Sequence, residues 1–181
     1  MKLIDTPLEG SYVIAPWKKS DDRGFFSRLL CTKAFKECGL EDEFVQVNHS
    51  FSKMKGTLRG LHYQLPPYEE TKVVKCVRGS LFDVIVDVRP YSETFGQHFS
   101  VRLDEENGLM MYVPKGFAHG FFSLEPDTEI IYFVSQFYAP EYERGIRWND
   151  PMLAIKWPGE PVVLSEKDAS HPNFKVETLT V

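Results

Sequence analysis

Two glycine-rich segments of this chain each carry a histidine in a setting suited to chemistry. The first is GTLRGLHYQ, residues 56–64, and the second is GLMMYVPKGFAH, residues 108–119. A neutral imidazole acts as a general base near neutral pH or as a ligand for a transition metal. A strand that enters a Pro/Gly turn would set such a histidine at the mouth of a small barrel. His62 and His119 are therefore the first candidate site residues.

The spacing within both segments resembles the two sequence motifs of the cupin superfamily. The second segment agrees closely: five residues separate its Gly from its Pro, one residue separates that Pro from the next Gly, and two residues separate that Gly from the His. In the first, metal-binding cupins carry His-x-His followed by Glu, whereas this chain has Gln64 in place of the second histidine. Glutamine is a poor substitute for imidazole at a transition metal, and no nearby cysteine or histidine replaces it. We expect an all-β cupin jelly-roll sandwich or barrel with a few short helices and no metal.

Further blocks of the chain resemble the dTDP-4-dehydrorhamnose 3,5-epimerase family, the cupin-fold epimerases of nucleotide sugars. No single block is decisive, but they follow one another in order through nearly the whole chain. The resemblance implies an isomerase that inverts C3, C5 or both in a nucleotide-diphosphate-linked 4-keto-6-deoxyhexose, first of all dTDP-4-dehydro-6-deoxy-D-glucose. The blocks are residues 22–26, 44–50, 56–64 with 66–67, 72–74, 82–89, 113–120, 145–151 and 164–168, together with Tyr132 and Tyr138.

The implied chemistry needs only acid and base groups, because a C4 ketone acidifies the hydrogens on C3 and C5. Removal of a proton gives an enolate, and reprotonation from the opposite face inverts the carbon, so no cofactor is expected. By the resemblance, His62 is the base and Asp168 is the carboxylate paired with it. Lys72 is the cation near the C4 oxygen, and Tyr132 is the phenol that returns a proton. From spacing alone, Asp83 competes with Asp168 as the partner of His62.

The resemblance also implies a set of residues that hold the nucleotide diphosphate and the sugar hydroxyls. Arginine and lysine are natural partners of a diphosphate. In relatives, the segment that matches Arg23 reaches across from the second subunit, so we expect a homodimer in which Arg23 completes the partner's site. The set comprises Arg23, Gln46, Asn48, Arg59, His119, Tyr138, Glu143 and Lys167.

Two positions depart from relatives that use thymidine sugars. Those relatives read Arg-Gly-Phe-Phe-x-Glu, in which the Glu can accept from thymine N3–H, but here Arg28 takes its place. A guanidinium has no acceptor, whereas cytosine presents acceptors at N3 and O2. One hypothesis is that Arg28 binds a CDP-linked 4-keto sugar; if that sugar is already 3-deoxy, only C5 can be inverted. The other hypothesis is that Arg28 points to solvent or pairs with an acidic neighbour. Val47, where relatives often carry Asp or Glu, is the second departure.

Other functions are compatible with parts of the sequence. A non-catalytic sugar- or nucleotide-binding cupin would be expected to lack the base or the acid, yet His62 and Tyr132 are both present. A metal-dependent oxygenase or isomerase would need the histidine that Gln64 replaces. A ketoisomerase or a single-centre epimerase uses the same enolate chemistry, so the sequence does not separate it from a 3,5-epimerase.

The elements that must position these residues are mostly short strands. Helical periodicity is limited to Thr32–Leu40 and to a turn or two within Pro161–Ala169. The regular spacing of the strands indicates an antiparallel sandwich or barrel. β-Branched and aromatic runs bounded by Gly, Pro, Asn or Asp predict strands at 72–77, 80–88, 97–103, 109–113 and 128–138.

Strand parity predicts which side chains share a face. Within residues 80–88, one face carries Phe82, Val84, Val86 and Val88, and the other carries Asp83 and Asp87. We expect these carboxylates on a solvated outer face, because carboxylates avoid burial, with a polar barrel lumen as the alternative. The same rule places Tyr132 on one face with Tyr138, towards either the lumen or another sheet.

The composition is typical of one soluble globular domain, which we expect to span residues 1–181. Hydrophobic residues make up 43% of the chain, and the formal net charge is −5 without a Lys/Arg-rich run, so nucleic acid is not an expected partner. No apolar run has the length of a signal-peptide core or a membrane span, which predicts a cytoplasmic protein without membrane contact. The three cysteines lack metal-site spacing and are expected to be reduced thiols.

Overall fold

Thirteen strands and two short helices make up residues 1–175, the part of the chain that this computed structural model describes. The helices are α1 (Thr32–Glu37) and α2 (Glu166–Ala169). All but the last of the predicted strands lie close to their predicted positions. The strands are β1 (Lys2–Asp5), β2 (Tyr12–Ala15), β3 (Lys18–Asp21), β4 (Gly24–Ser27), β5 (Gln46–Ser52), β6 (Leu58–Gln64), β7 (Lys72–Arg78), β8 (Ser80–Asp87), β9 (His98–Asp104), β10 (Met110–Val113), β11 (Phe117–Ser123), β12 (Thr128–Val134) and β13 (Glu143–Gly145).

The strands form two antiparallel sheets that pack face to face. The six-stranded sheet has the order β1-β2-β10-β7-β12-β5, and the five-stranded sheet has the order β13-β6-β11-β8-β9. Within the described residues, the hairpin β3–β4 pairs with neither sheet. The expected all-β jelly-roll sandwich with short helices is confirmed.

The core lies in three layers. Leu81 and Ile85 of β8 meet Val74 and Met111 of the facing sheet in the interior cluster between the sheets. The opposite face of β8 is also buried, because residues 146–174 fold over it through side chains such as Leu153 and Phe174. On the outside of the six-stranded sheet, Phe35 of α1 packs on Ile14, Val73 and Met110.

The expectation that Asp83 and Asp87 face solvent is wrong. Asp83 is 1% exposed and Asp87 is fully buried, since their face of β8 looks into the sandwich. Each carboxylate is stabilised by donors that strand parity does not reveal. Asp87 accepts hydrogen bonds from Arg89, Ser92 and Thr94 at 2.5–2.7 Å. Asp83 hydrogen-bonds a histidine of the candidate site.

Helix α1 is shorter than the predicted Thr32–Leu40. It ends at Glu37, and Gly39 then adopts a φ of +70°, a conformation open to glycine. The Gly39 N–H donates to the Lys36 carbonyl and the Leu40 N–H to the Phe35 carbonyl, each at 3.0 Å. This pair of bonds is a Schellman motif, which terminates the helix.

Strand β12 is also shorter than predicted, ending at Val134 instead of residue 138. After it, the Gln136 side chain accepts the Phe137 N–H at 2.8 Å, so that backbone group is bonded outside the sheet. The chain then leaves the sheet, and the parity that linked Tyr132 to Tyr138 does not hold. Tyr132 packs against the interior cluster, whereas Tyr138 is 57% exposed.

Within the described range, neither helix is long and apolar enough to span a lipid bilayer. Cys31, Cys38 and Cys76 are free thiols, as predicted. Burial raises the pKa of Cys76 to about 11, which keeps this thiol protonated at neutral pH.

Candidate active site

Two adjoining cavities, of about 430 and 520 Å³, are lined by most of the residues predicted to form a site. His62, Lys72 and Tyr132 line both of them and therefore lie where the two meet. In residues 1–175, neither Arg23 nor Arg28 lines them. The first cavity adds Arg59, His119, Lys167 and Asp168, and the second adds Gln46, Asn48, Tyr138 and Glu143.

His62 and Asp168 form a hydrogen-bonded pair in the wall of the first cavity. His62 Nε2 lies 2.7 Å from Asp168 Oδ1, and Oδ2 accepts the Gly60 N–H at 3.3 Å. Because Nε2 faces the carboxylate, Nδ1 is the ring nitrogen left for a substrate. Burial tends to raise the pKa of Asp168, but the hydrogen bond and charge of His62 outweigh it and hold that pKa below its usual value.

Asp168 reaches His62 because the segment that precedes α2 is bonded to the start of β6. Three backbone hydrogen bonds, of 2.8, 3.0 and 3.3 Å, tie residues 162–163 to residues 56–58. The Ser165 hydroxyl then caps α2 by accepting the Asp168 N–H at 3.0 Å. The Ser-Glu-Lys-Asp block is thus a capped turn that directs its carboxylate at β6.

A β-bulge lies between β6 and β11 beside this pair. His62 is paired with His119, and the register of the two strands shifts directly after that pair. At the bulge the backbones are in close contact, since a Cβ on Gly60 would lie 2.7 Å from the Gly120 Cα. Gly60 also has a φ of +111°, which residues with side chains rarely adopt. The two glycines therefore permit the approach that sets both histidines side by side.

His119 has a carboxylate of its own. Its Nε2 lies 2.7 Å from Asp83 Oδ1, and the two side chains are 10% and 0% exposed. Asp83 Oδ2 is buried without a hydrogen-bond partner among residues 1–175. Asp83 therefore orients His119, and the carboxylate that contacts His62 is Asp168.

Lys72 and Tyr132 lie on neighbouring strands of the sheet that faces the two histidines. Lys72 Nζ is 2.9 Å from Glu70 Oε1, and both side chains are largely buried. Sequence reasoning missed Glu70, although residues two apart in an extended segment share a face. Burial and the charge of Glu70 raise the pKa of Tyr132, whose phenol also hydrogen-bonds Asn48, so the phenol stays protonated at neutral pH.

Glu143, which lines the second cavity, hydrogen-bonds two of the predicted binding residues. Its Oε2 accepts hydrogen bonds from the Tyr138 hydroxyl and from Lys167 Nζ, both at 2.6 Å. Burial tends to raise the pKa of Glu143, but these donors outweigh it and keep that pKa below its usual value. Gln46 is joined to the same group, since its Oε1 accepts the Tyr138 N–H at 3.3 Å.

The Gln64 side chain is 4% exposed and is bonded to backbone groups. Its Oε1 accepts the Ala139 N–H at 2.6 Å, and its Nε2 donates to the carbonyls of Tyr68 and Phe137 at 2.8 and 3.3 Å. The residue that stands at the cupin ligand position thus anchors the loop after β12.

Arg23 and Arg28 lie away from the cavities. Arg23 is at the tip of the β3–β4 hairpin, where its side chain is 88% exposed and 2.6 Å from Asp21. Arg28 is exposed and lines a separate small cavity with Trp17. Within a single chain, neither arginine contributes to the site.

His171 lies next to the His62–Asp168 pair, and sequence reasoning missed this histidine. Its Nε2 lies 3.4 Å from Asp168 Oδ1, and its ring meets His62 edge to face with centroids 5.5 Å apart. The only signal in the sequence is the i, i+3 spacing from Asp168, which puts two residues on one side of a helical turn.

Comparison with known proteins identifies the family. Residues 5–176 match the family model described as dTDP-4-dehydrorhamnose 3,5-epimerase. A dTDP-4-dehydrorhamnose 3,5-epimerase from Pseudomonas aeruginosa is 50% identical to this chain, and the match covers 96% of each. The crystal structure of a dTDP-6-deoxy-D-glucose-3,5-epimerase from Legionella pneumophila in complex with dTDP-4-keto-L-rhamnose matches with a TM-score of 0.92 at 43% identity, over 98% of this chain and 96% of that one.

A 3′-monoepimerase from Streptomyces bikiniensis in complex with dTDP-quinovose is also similar. It matches with a TM-score of 0.87 at 36% identity, over 93% of this chain and 85% of that one. Family match, sequence identity and fold agree along the chain. The protein is an isomerase that belongs to the dTDP-4-dehydrorhamnose 3,5-epimerase family.

Proposed function

We propose that this enzyme converts dTDP-4-dehydro-6-deoxy-D-glucose to dTDP-4-dehydro-L-rhamnose by inverting C3 and C5. One observation carries the proposal. A histidine–carboxylate pair on one sheet and a buried phenol on the facing sheet line the same two cavities, which suits removal and return of a proton on opposite faces of a sugar. The base of this pair is His62, and the phenol is Tyr132.

The proposed mechanism is acid–base chemistry through an enolate. His62 Nδ1 takes the proton from the carbon next to the ketone, and Asp168 stabilises the imidazolium that forms. The electron pair moves onto the C4 oxygen, where the ammonium of Lys72 stabilises the negative charge. Tyr132 then donates its proton to the other face of the carbon, and both groups return to their starting state by exchange with solvent.

The diphosphate is proposed to bind Arg59 and Lys167, two of the cations of the first cavity, and an arginine of a second subunit. The β3–β4 hairpin supports a homodimer, because an isolated two-stranded hairpin is at best marginally stable in water. It exposes Phe25 and Phe26 at 63% and 58%, an apolar surface suited to a protein partner. A hairpin placed on a second copy would deliver Arg23 to that copy's site.

Thymidine is the proposed nucleotide. The choice rests on the relatives, because Arg28 directly follows the hairpin proposed to reach the partner's site and lines a separate cavity only of its own chain. The relatives named above act on or bind dTDP sugars. A single-centre epimerase is the second candidate function, because the monoepimerase from Streptomyces bikiniensis has the same fold at a TM-score of 0.87.

The test is incubation in D₂O with 4-keto-6-deoxyglucose carried on dTDP and, separately, on CDP, with deuterium followed by NMR. Deuterium at both C3 and C5 of the dTDP sugar, together with the L-rhamno product, is the expected result. Deuterium at one carbon alone would establish the monoepimerase, and faster exchange of the CDP sugar would reverse the choice of nucleotide. Tight nucleotide binding without exchange of either sugar would reject catalysis by this site.

A further inference from the structure

Three groups with metal-ligand chemistry converge beside the first cavity: the imidazoles of His62 and His171 and the carboxylate of Asp168. One ligand atom from each lies within 4.8 Å of the other two. Two imidazoles and one carboxylate form a donor set that Zn²⁺ prefers, with a fourth position left for water or substrate. The group shares His62 with the cupin metal position but does not use the place of its second histidine, where the Gln64 amide is bonded to backbone groups.

The ring of His171 is packed into this group, with its Nε2 3.4 Å from Asp168 Oδ1. Its Nε2 is buried and has no hydrogen-bond partner among residues 1–175. Such buried, unpaired polar atoms are rare in folded proteins and often mark a place for an ion or a water molecule. Gly145 makes room for the ring, since a Cβ at that position would overlap the His171 side chain.

Neutral imidazole and ionised carboxylate are the forms that bind a metal, so binding at this group releases protons and strengthens as the pH rises.

We propose that His62, Asp168 and His171 form an inhibitory site for a divalent transition metal, with Zn²⁺ as the fitting ion. Binding opens the 2.7 Å contact between His62 and Asp168, since two ligands with bonds of about 2.0–2.2 Å to one tetrahedral ion lie farther apart than that. A neutral imidazole that gives Nε2 to a metal carries its proton on Nδ1. Nδ1 then has no lone pair to accept a proton from a sugar.

The binding site and its inhibitory effect are tested by different measurements. The inhibitory effect rests on His62 being the base of the proposed function, whereas metal binding itself does not. Metal binding is followed by the visible absorption of Co²⁺ added to the EDTA-treated full chain, with Zn²⁺ as the competing ion. One equivalent of tetrahedral Co²⁺, displaced by Zn²⁺ and held more tightly as the pH rises, is the expected result.

The discriminating variant is His171→Asn. We expect it to weaken Zn²⁺ binding by at least the roughly 100-fold that loss of an outer-shell partner can cost. The matched control is His98→Asn on β9, which removes another partly buried histidine and should leave binding unchanged. Unchanged affinity in His171→Asn, or no stoichiometric Co²⁺ in the wild type, would overturn the site.

A measurement on the unmutated protein covers the case in which a variant misfolds. Zn²⁺ should shift the ring-nitrogen NMR signals of His62 and His171 together, and bound Zn²⁺ that shifts neither would overturn the site. In the D₂O assay, Zn²⁺ should stop deuterium exchange and EDTA should restore it. Full exchange with one equivalent of Zn²⁺ bound would refute inhibition. If the metal-free enzyme shows no exchange, the proposed function is refuted. In that case the Co²⁺ titration alone decides whether the metal site exists.

Discussion

His62 and His119 are cross-strand partners on β6 and β11, and each places its Nε2 2.7 Å from a carboxylate of its own. The two pairs differ in access: the His62 side chain is 31% exposed and lines both cavities, whereas that of His119 is 10% exposed and lines only the first. Hydrogen bonding alone therefore does not single out the base, but exposure to both cavities favours His62.

Replacing the two histidines separately should divide their roles. His62→Ala removes the proposed base, so the rate of deuterium exchange in D₂O should fall at least about 10²–10⁴-fold, the usual contribution of general base catalysis. His119→Asn should weaken substrate binding and keep measurable exchange, because His62 and Asp168 are intact. Equal loss of exchange in both variants at saturating substrate would contradict this division.

Tyr132→Phe should separate exchange from inversion. The variant keeps His62 and Lys72, so deuterium should still enter the sugar from the base side, while the epimerised product is lost. Both outcomes are read from the same NMR spectrum. Tyr91→Phe is the control, since Tyr91 is fully exposed and lies outside both cavities. Epimerised product at the wild-type rate from Tyr132→Phe would assign the acid to another group.

Asp168→Asn should change the pH dependence of stability as well as activity. The pKa of Asp168 is lower in the folded protein than the value of about 3.9 usual in an unfolded chain. A depressed folded-state pKa gives stability that is present above the unfolded pKa and lost as the pH falls through the folded one. The difference in unfolding free energy between wild type and variant, from urea denaturation, should therefore shrink below about pH 4. A difference that is constant from pH 7 to pH 3 would contradict the pairing with His62.

Gln64→Ala should destabilise the fold. The substitution leaves buried backbone groups of the loop after β12 without their partner, at a cost of about 1–3 kcal/mol in unfolding free energy. Gln97→Ala is the matched control, because its only side-chain hydrogen bond within residues 1–175 is exposed and 3.5 Å long. Its effect should stay within about 0.5 kcal/mol. Urea denaturation measures both, and equal stability of the two variants would contradict an anchoring role for Gln64.

Substitutions in the β3–β4 hairpin test the proposed dimer. Phe25→Ser combined with Phe26→Ser should shift the protein to monomer in sedimentation, because both exposed rings belong to the proposed interface.

Arg23→Ala should remain dimeric and lose exchange activity. Mixing Arg23→Ala with His62→Ala subunits should restore exchange, since one site of each mixed dimer would then be intact. No recovery in verified mixed dimers would show that Arg23 does not serve the partner's site.

The alternation in residues 80–88 was sufficient to predict β8, but not the surroundings of its carboxylates. Parity separates the two faces of a strand, yet it does not show that residues 146–174 cover one face or that the other looks into the sandwich. The cost of burying Asp83 and Asp87 is offset by His119 and Arg89, which approach from other strands and loops. The local sequence pattern therefore predicts the strand, whereas the burial of its two carboxylates depends on tertiary contacts.

The candidate site shows the same division. His62 and Asp168 are 106 positions apart, so no periodicity joins them, and only the family resemblance named the pair. Glu70 and His171 belong to no quoted motif and were found only in three dimensions. Arg28 stays a prediction: its side-chain chemistry suggested a nucleotide contact, and within one chain it lines a separate cavity next to the β3–β4 hairpin.

The attachment of residues 162–163 to the start of β6 has a consequence for the biosynthesis of the enzyme. A ribosome releases the chain from its N-terminus, so every strand of both sheets is available before the capped turn that carries Asp168 has emerged. His62 remains without its carboxylate until that turn docks. Under the proposed mechanism, a nascent chain that has completed both sheets but not this turn therefore lacks the carboxylate that orients its base.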